Sequence, residues 1–194
     1  GRYDFWQDFS SSEEYTIGIN LDNMKNLTLD GNGSKFIFHG NMQIMSISKS
    51  ENIEIKNFSV DWERPFMYQG QYVAATDNYI DIRFDKKQYP YVIEDNQFYL
   101  TGEGWKAKPS GYFDLFDRDT KEILYKTHDG NNSQLFNSKA IEIRPGIVRF
   151  HGKTNIKPLP GTYTTLMAGR YITTGMVISR SKNVYLKDVT IYHA

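Results

Sequence analysis

The sequence predicts an all-β protein: parallel β-solenoid coils interrupted by an inserted antiparallel β-barrel or sandwich. Two observations carry this. The segment Asn52-Ile53-Glu54-Ile55-Lys56-Asn57-Phe58-Ser59-Val60 returns 131 positions later as Asn183-Val184-Tyr185-Leu186-Lys187-Asp188-Val189-Thr190-Ile191. Between the copies the chain changes to short alternating strands separated by turn residues.

In each copy the apolar positions advance by two, then three, then two. Two short strands therefore show one apolar face, and a bend of Lys with Asn or Asp shifts the phase between them. A looser copy, Asn26-Leu27-Thr28-Leu29-Asp30-Gly31-Asn32-Gly33 followed by Phe36 and Phe38, stands 26 positions before the second. A period in the twenties built from strands and polar bends is the pattern of a solenoid. Residues 1–62 form the first block, punctuated by Gly31, Gly33 and Gly40.

Residues 63–168 lose the repeat. They carry Tyr79-Ile80-Asp81-Ile82-Arg83-Phe84, Ile141-Glu142-Ile143-Arg144 and Ile147-Val148-Arg149-Phe150, with turn signals at Thr76-Asp77-Asn78, Asp117-Arg118-Asp119, Asp129-Gly130-Asn131-Asn132 and Pro145-Gly146. That pattern reads as antiparallel hairpins. A spacing of 131 is also close to five turns of 26, so degenerate coils are the alternative to an insertion. The repeat resumes over 169–194 with Met176-Val177-Ile178-Ser179-Arg180-Ser181, and no window sustains a helical period. Tyr192-His193-Ala194 ends directly after a repeat strand, which leads us to expect a longer parent chain.

The 194 residues hold 23 basic and 23 acidic side chains, so the formal charge is zero. This argues against nucleic acid or an anionic membrane as the main partner. Aromatic residues reach 15%, including 14 Tyr and 12 Phe, which suits β-structure and tolerates sugar binding. The absence of cysteine excludes disulfides, thiolate metal sites and cysteine nucleophiles. No membrane span is present, and Gly1-Arg2-Tyr3-Asp4 lacks the apolar core of a signal peptide.

The densest polar cluster is Asp61-Trp62-Glu63-Arg64-Pro65. On a continuing strand Asp61 and Glu63 would share a face about 7 Å apart, within the roughly 6.5–9.5 Å that inverting glycosidases use. The alternative is a solvated strand end, with Arg64 pairing a carboxylate and Pro65 stopping the ladder. Trp62 either stacks on a sugar or packs at the junction. Asp30-Gly31-Asn32-Gly33 lacks the further ligands of a calcium loop and reads as a tight turn. His39, His128, His151 and His193 show no metal-ligand spacing, and we expect no metal and no cofactor. His193 is the histidine of interest, because it lies near the matching edge of the resumed coil.

Asn26 through Gly40, taken with Asn57-Phe58-Ser59-Val60-Asp61-Trp62-Glu63-Arg64-Pro65, resembles the N-terminal part of glycoside hydrolase family 110. Lys187 through Ala194 looks like the coil that follows that family's inserted barrel. These are α-1,3-galactosidases, known from gut Bacteroides and marine bacteria, that remove terminal α-galactose from blood group B and related glycans. The resemblance implies a right-handed parallel β-helix with a barrel insertion, inverting metal-independent hydrolysis by two carboxylates, and a periplasmic or secreted location. It implies a glycan with terminal α-galactose as partner. The family's catalytic aspartates belong to later coils that nothing here matches, so no catalytic residue is assigned. Trp62, Arg64 and His193 are candidates for the periphery of a sugar pocket. A non-catalytic carbohydrate-binding or structural protein is the alternative. A calcium-dependent polysaccharide lyase would need clustered Asp and basic residues that the chain lacks.

Overall fold

The computed structural model describes residues 1–6, 16–124, 130–131, 133–154, 156–168 and 175–193. The strands are β1 (Arg2–Trp6), β2 (Thr16–Asp22), β3 (Lys25–His39), β4 (Met42–Ser48) and β5 (Glu51–Trp62). There follow β6 (Met67–Ala75), β7 (Tyr79–Phe84), β8 (Tyr91–Glu94), β9 (Gln97–Gly102), β10 (Trp105–Ala107), β11 (Tyr112–Phe113), β12 (Leu115–Phe116) and β13 (Gly130–Asn131). A single helical turn, α1 (Ser133–Phe136), precedes β14 (Ala140–Arg144), β15 (Ile147–His151), β16 (Tyr163–Met167), β17 (Met176–Ser179) and β18 (Lys182–Ile191). The chain divides into two compact units. One comprises Gly1–Pro65, Glu103–Trp105 and Ile172–Ala194, the other Phe66–Gly102 and Lys106–Tyr171.

The first unit is built from two parallel sheets, ordered β1-β3-β5-β18 and β17-β4-β2. Leu27 pairs with Ile53 and Leu29 with Ile55, an offset of 26 positions. Val184 pairs with the same Ile53 and Leu186 with Ile55. The two copies of the motif are therefore immediate neighbours in one sheet, with no further strand between them. In-register parallel stacking puts equivalent residues above one another, so the corners repeat as well. Asn26, Asn52 and Asn183 all take positive φ, at 52°, 57° and 52°, and so do Asn23, Lys49 and Arg180 at 55°, 49° and 51°. Asparagine tolerates the left-handed conformation better than most residues. Here it is also tied between coils: Asn52 Nδ2 donates to Asn26 Oδ1 at 2.8 Å, and Asn183 Nδ2 to Asn52 Oδ1 at 2.9 Å. The Lys-Asn/Asp bend is the next corner, with Asn57 and Asp188 at φ 59° and 53°. In the earliest coil Asp30 to Ser34 takes a register shift at this place. Asp30 there accepts from the Asn32 N–H and from Asn57 Nδ2, so the Asp-Gly-Asn-Gly segment is a turn stapled to the next coil.

Inside the stack, Phe38, Ile44, Met45, Ile53, Ile55 and Val60 are each 0% exposed. Phe36 stacks on Phe58 at 4.6 Å and Phe5 on Phe38 at 4.8 Å, so aromatic ladders run across the parallel strands.

The second unit is antiparallel. Its main sheet runs β12-β16-β6-β7-β15-β14, beside three-stranded β10-β9-β8 and two-stranded β11-β13. Each alternating stretch becomes a strand, and Thr76-Asp77-Asn78 and Pro145-Gly146 turn the β6–β7 and β14–β15 hairpins. Of the expected turn at 129–132, Gly130 and Asn131 instead form β13, while Asp129 and Asn132 lie outside the described residues, as does His128. The core is an aromatic chain: Phe98 packs on Phe84 at 5.3 Å and on Phe150 at 5.2 Å, and Phe150 on Phe136 at 5.3 Å. One ion pair is sunk into this sheet. Asp81 is 4% exposed and receives both Nε and Nη2 of Arg149, at 2.7 and 2.8 Å, while the guanidinium lies 3.8 Å from the Tyr79 ring.

Candidate functional site

Polar chemistry in the first unit gathers where β1, β3 and β5 end. The rungs of the sheet explain why. Asp4 pairs with Ile37, which pairs with Asp61, and Trp6 pairs with His39. Side chains of i and i+2 share a face, so Arg2, Asp4, Trp6, Lys35, His39 and Asp61 project to the side opposite Phe5, Phe36, Phe38 and Val60.

His39 is the centre of one group. Its side chain is 6% exposed and lies between two carboxylates, with Nε2 3.0 Å from Asp4 and Nδ1 3.0 Å from both oxygens of Glu103. A carboxylate only accepts, and a neutral imidazole donates one proton. Both contacts are satisfied together only by the imidazolium. Burial opposes that charge, yet the hydrogen bonds to Asp4 and Glu103 outweigh it and raise the His39 pKa. Hydrogen bonds from Arg2 and from His39 hold Asp4 down at about 2. The Trp6 indole lies flat on the imidazolium, with ring centres 3.8 Å apart and planes 10° apart.

The second group surrounds Asp61. Lys35 Nζ reaches Oδ2 at 3.1 Å, His193 Nδ1 reaches Oδ1 at 2.8 Å, and the Trp62 N–H donates to Oδ1 at 2.9 Å. Burial pushes the Asp61 pKa up, but the His193 and Lys35 hydrogen bonds prevail and lower it. Asp61 is thus an ionised acceptor at neutral pH and has no proton to give a leaving group. Glu63 lies past the end of β5 and meets Arg2 at 3.3 Å. The strand stops at Trp62, and Asp61 and Glu63 are held by different cations, Lys35 with His193 for the first and Arg2 for the second.

The residues expected from the sequence thus separate. His193 sits on Asp61 through Nδ1, with its side chain 56% exposed. Arg64, three positions after Asp61, is half-buried. Trp62 is 5% exposed, packs 6.1 Å from Phe38, and gives its indole N–H to the Met42 carbonyl at 3.1 Å. A buried indole has no face for a sugar, so Trp62 is a packing residue. Sequence reasoning missed Asp4, Trp6 and Glu103. β1 meets β3 at an offset of 33, seen in Trp6 with His39, which is not the repeat period. No alternation or spacing connects Glu103 with His39.

No group of three or more His, Cys, Asp or Glu side chains among the described residues is arranged to hold a metal ion. No helix among them is long and apolar enough to cross a membrane. In the second unit, an open cavity of about 400 Å³ is lined by Lys86, Tyr91, Ile93, Asn96 and Glu142 among others. Glu142 there accepts from the Gly146 N–H, Lys86 and Tyr91, and the Gly146 contact leads in lowering its pKa. Those contacts hold the β14–β15 hairpin and need no ligand.

Residues 68–164, all but a few of them in the second unit, match the family described as GLAA-B beta-barrel domain I. Over its whole length the chain is 36% identical to alpha-1,3-galactosidase B of Bacteroides thetaiotaomicron, 32% to alpha-1,3-galactosidase A of Shewanella woodyi and 33% to alpha-1,3-galactosidase B of Phocaeicola vulgatus. It covers 33% of the first of these proteins and 34% of each of the other two, so it spans about a third of the relatives it matches. The chain belongs to the family that its sequence resembles: it carries a GLAA-B β-barrel domain I and is related from end to end to the α-1,3-galactosidases.

Proposed function

We propose that this chain is the N-terminal portion of a glycoside hydrolase that removes terminal α-1,3-linked galactose from glycans with inversion. In this reading the two parallel sheets are walls of a right-handed parallel β-helix and the second unit is the barrel inserted between its coils. The protein works in the periplasm or outside the cell, where such glycans are met. The observation that carries the proposal is the end-to-end match to one third of several α-1,3-galactosidases.

Inversion needs a carboxylic acid on the leaving oxygen and a carboxylate on water, roughly 6.5–9.5 Å apart. Asp61 is held ionised by His193 and Lys35, and Glu63 is turned to Arg2. We therefore assign the acid and the base to parts of the longer protein outside these residues. His193 and Arg64 remain candidates for the pocket's edge, His193 through its exposed side chain. The test is hydrolysis of a terminal α-1,3-galactosyl oligosaccharide by the longer protein and by the 194-residue chain side by side. The longer protein should release galactose, first as the β-anomer by NMR, and the short chain should release none. Release by the short chain, or retention of configuration by the longer one, overturns this assignment.

A further inference from the structure

We propose that Trp6 is a stacking platform for a hexopyranose, with Asp4, Glu103 and Arg2 as the polar rim that reads its hydroxyls. The proposal rests on the glycan reading above and adds a site to it.

Three tryptophans are present, and they divide by exposure. Trp62 is 5% exposed and committed to the core, and Trp105 is partly covered, whereas Trp6 is 60% exposed. That exposure is not the looseness of a dangling side chain. One face of the indole is covered by the His39 ring at 3.8 Å and 10°, which turns the opposite face to solvent. The support beneath it is rigid: His39 is only 6% exposed and is pinned from both ring nitrogens by Asp4 and Glu103. A cation under an aromatic ring also holds that ring by its quadrupole. An immobilised indole presents contact area at little entropic cost.

The ligand chemistry follows from what surrounds the ring. A pyranose carries a patch of C–H groups on one face and hydroxyls around its edge, so it needs a flat aromatic surface with acceptors and donors beside it. In a galactoside the axial hydroxyl leaves that C–H patch unbroken on the other face. Asp4 and Glu103 keep side-chain exposures of 34% and 27%, and a carboxylate oxygen accepts more than one hydrogen bond. Arg2, 56% exposed, grips Asp4 at 2.7 Å and Glu63 at 3.3 Å and presents remaining N–H groups at the same edge. Acceptors and donors thus flank one open aromatic face. A nucleic-acid base would also stack, but the neutral chain and the two carboxyl side chains at this edge disfavour a phosphate backbone.

Saturation-transfer NMR with methyl α-D-galactopyranoside on the 194-residue chain tests this. Wild type should transfer saturation to the sugar's C–H face. Trp6→Ala should weaken binding about tenfold or more, the scale of one lost stacking contact. Trp6→Phe should keep most of it, and Leu159→Ala, at an exposed side chain of the second unit, should change nothing. Circular dichroism melting checks that each variant is folded. Binding undiminished in folded Trp6→Ala overturns the platform while leaving the glycan reading intact. Absence of galactoside binding by wild type also overturns the platform, and hydrolysis by the longer protein then decides the glycan reading separately.

Discussion

The two units reach all-β structure by opposite routes. In the first, strands stack parallel and, apart from the shift between Asp30 and Ser34, in register, so what stands at a corner of one strand recurs in the next: three asparagines in a hydrogen-bonded column, three further residues at positive φ, aromatic rings in files. In the second, antiparallel hairpins set each register through their own turns, and bulges shift it within β6–β7 and β14–β15. Stability there is concentrated in single arrangements, the Phe84–Phe98–Phe150–Phe136 chain and the Asp81–Arg149 pair. Repetition distributes a structural role over copies, whereas an irregular sheet assigns it to individuals.

The strongest break of the first arrangement is at Phe38, which is 0% exposed and touches Phe5 on one strand and Trp62 near the end of the next coil. Phe38→Ala should cost about 3–5 kcal/mol, with hydrogen-exchange protection lost in β1, β3 and β5. A loss below about 1 kcal/mol would mean that the aromatic file is not what holds the parallel strands together. The matching break in the second unit is Asp81→Ala, which strips a buried, two-pronged partner from Arg149. We expect about 2–3 kcal/mol by urea denaturation, the lower end of what a buried pair costs because Arg149 is 29% exposed.

A smaller substitution separates the two components of the asparagine column. Asn52→Ala loses both inter-coil hydrogen bonds and puts a Cβ-bearing residue without a polar side chain at φ 57°, for about 1–2 kcal/mol in total. Asn52→Gly removes the same hydrogen bonds but relieves the backbone. If the corner geometry dominates, Asn52→Gly is the milder of the two. If the column dominates, the two lose equal stability.

The subtlest effect is one of pH at His39. Its folded pKa is raised above that of the unfolded chain, so its contribution is fully present below about 6.5. That contribution is lost as pH rises through the folded value. Denaturation at pH 5.5 and at pH 8.5 should show wild type losing more stability between the two than His39→Phe does. Equal losses would remove the imidazolium from the account.

What could be read from the sequence follows the same division. The period of 26 and the Lys-Asn/Asp bend are legible, because parallel stacking writes itself into the chain as repetition. The hairpins at Thr76–Asn78 and Pro145–Gly146 were legible from alternation and turn residues. The candidate site was not. Trp62 drew attention because charged residues flank it, yet it follows the strand's inward alternation into the core. Trp6, Asp4 and Glu103 meet His39 across distances in sequence that no period connects, and one of them lies within the irregular segment. His193 stands out in the sequence because it lies near the matching edge of the resumed repeat, but its pairing with Asp61 is visible only in the structure.

The central claim is that this chain engages a terminal galactose without cleaving it. It is tested most directly in one NMR sample holding the 194-residue chain and an oligosaccharide ending in α-1,3-linked galactose, followed for saturation transfer and for free galactose together. The account predicts transfer to the terminal galactose ring and no free galactose over hours. Accumulating free galactose would contradict the assignment of the acid and base to residues outside this chain, and absence of transfer would contradict its part in holding the sugar.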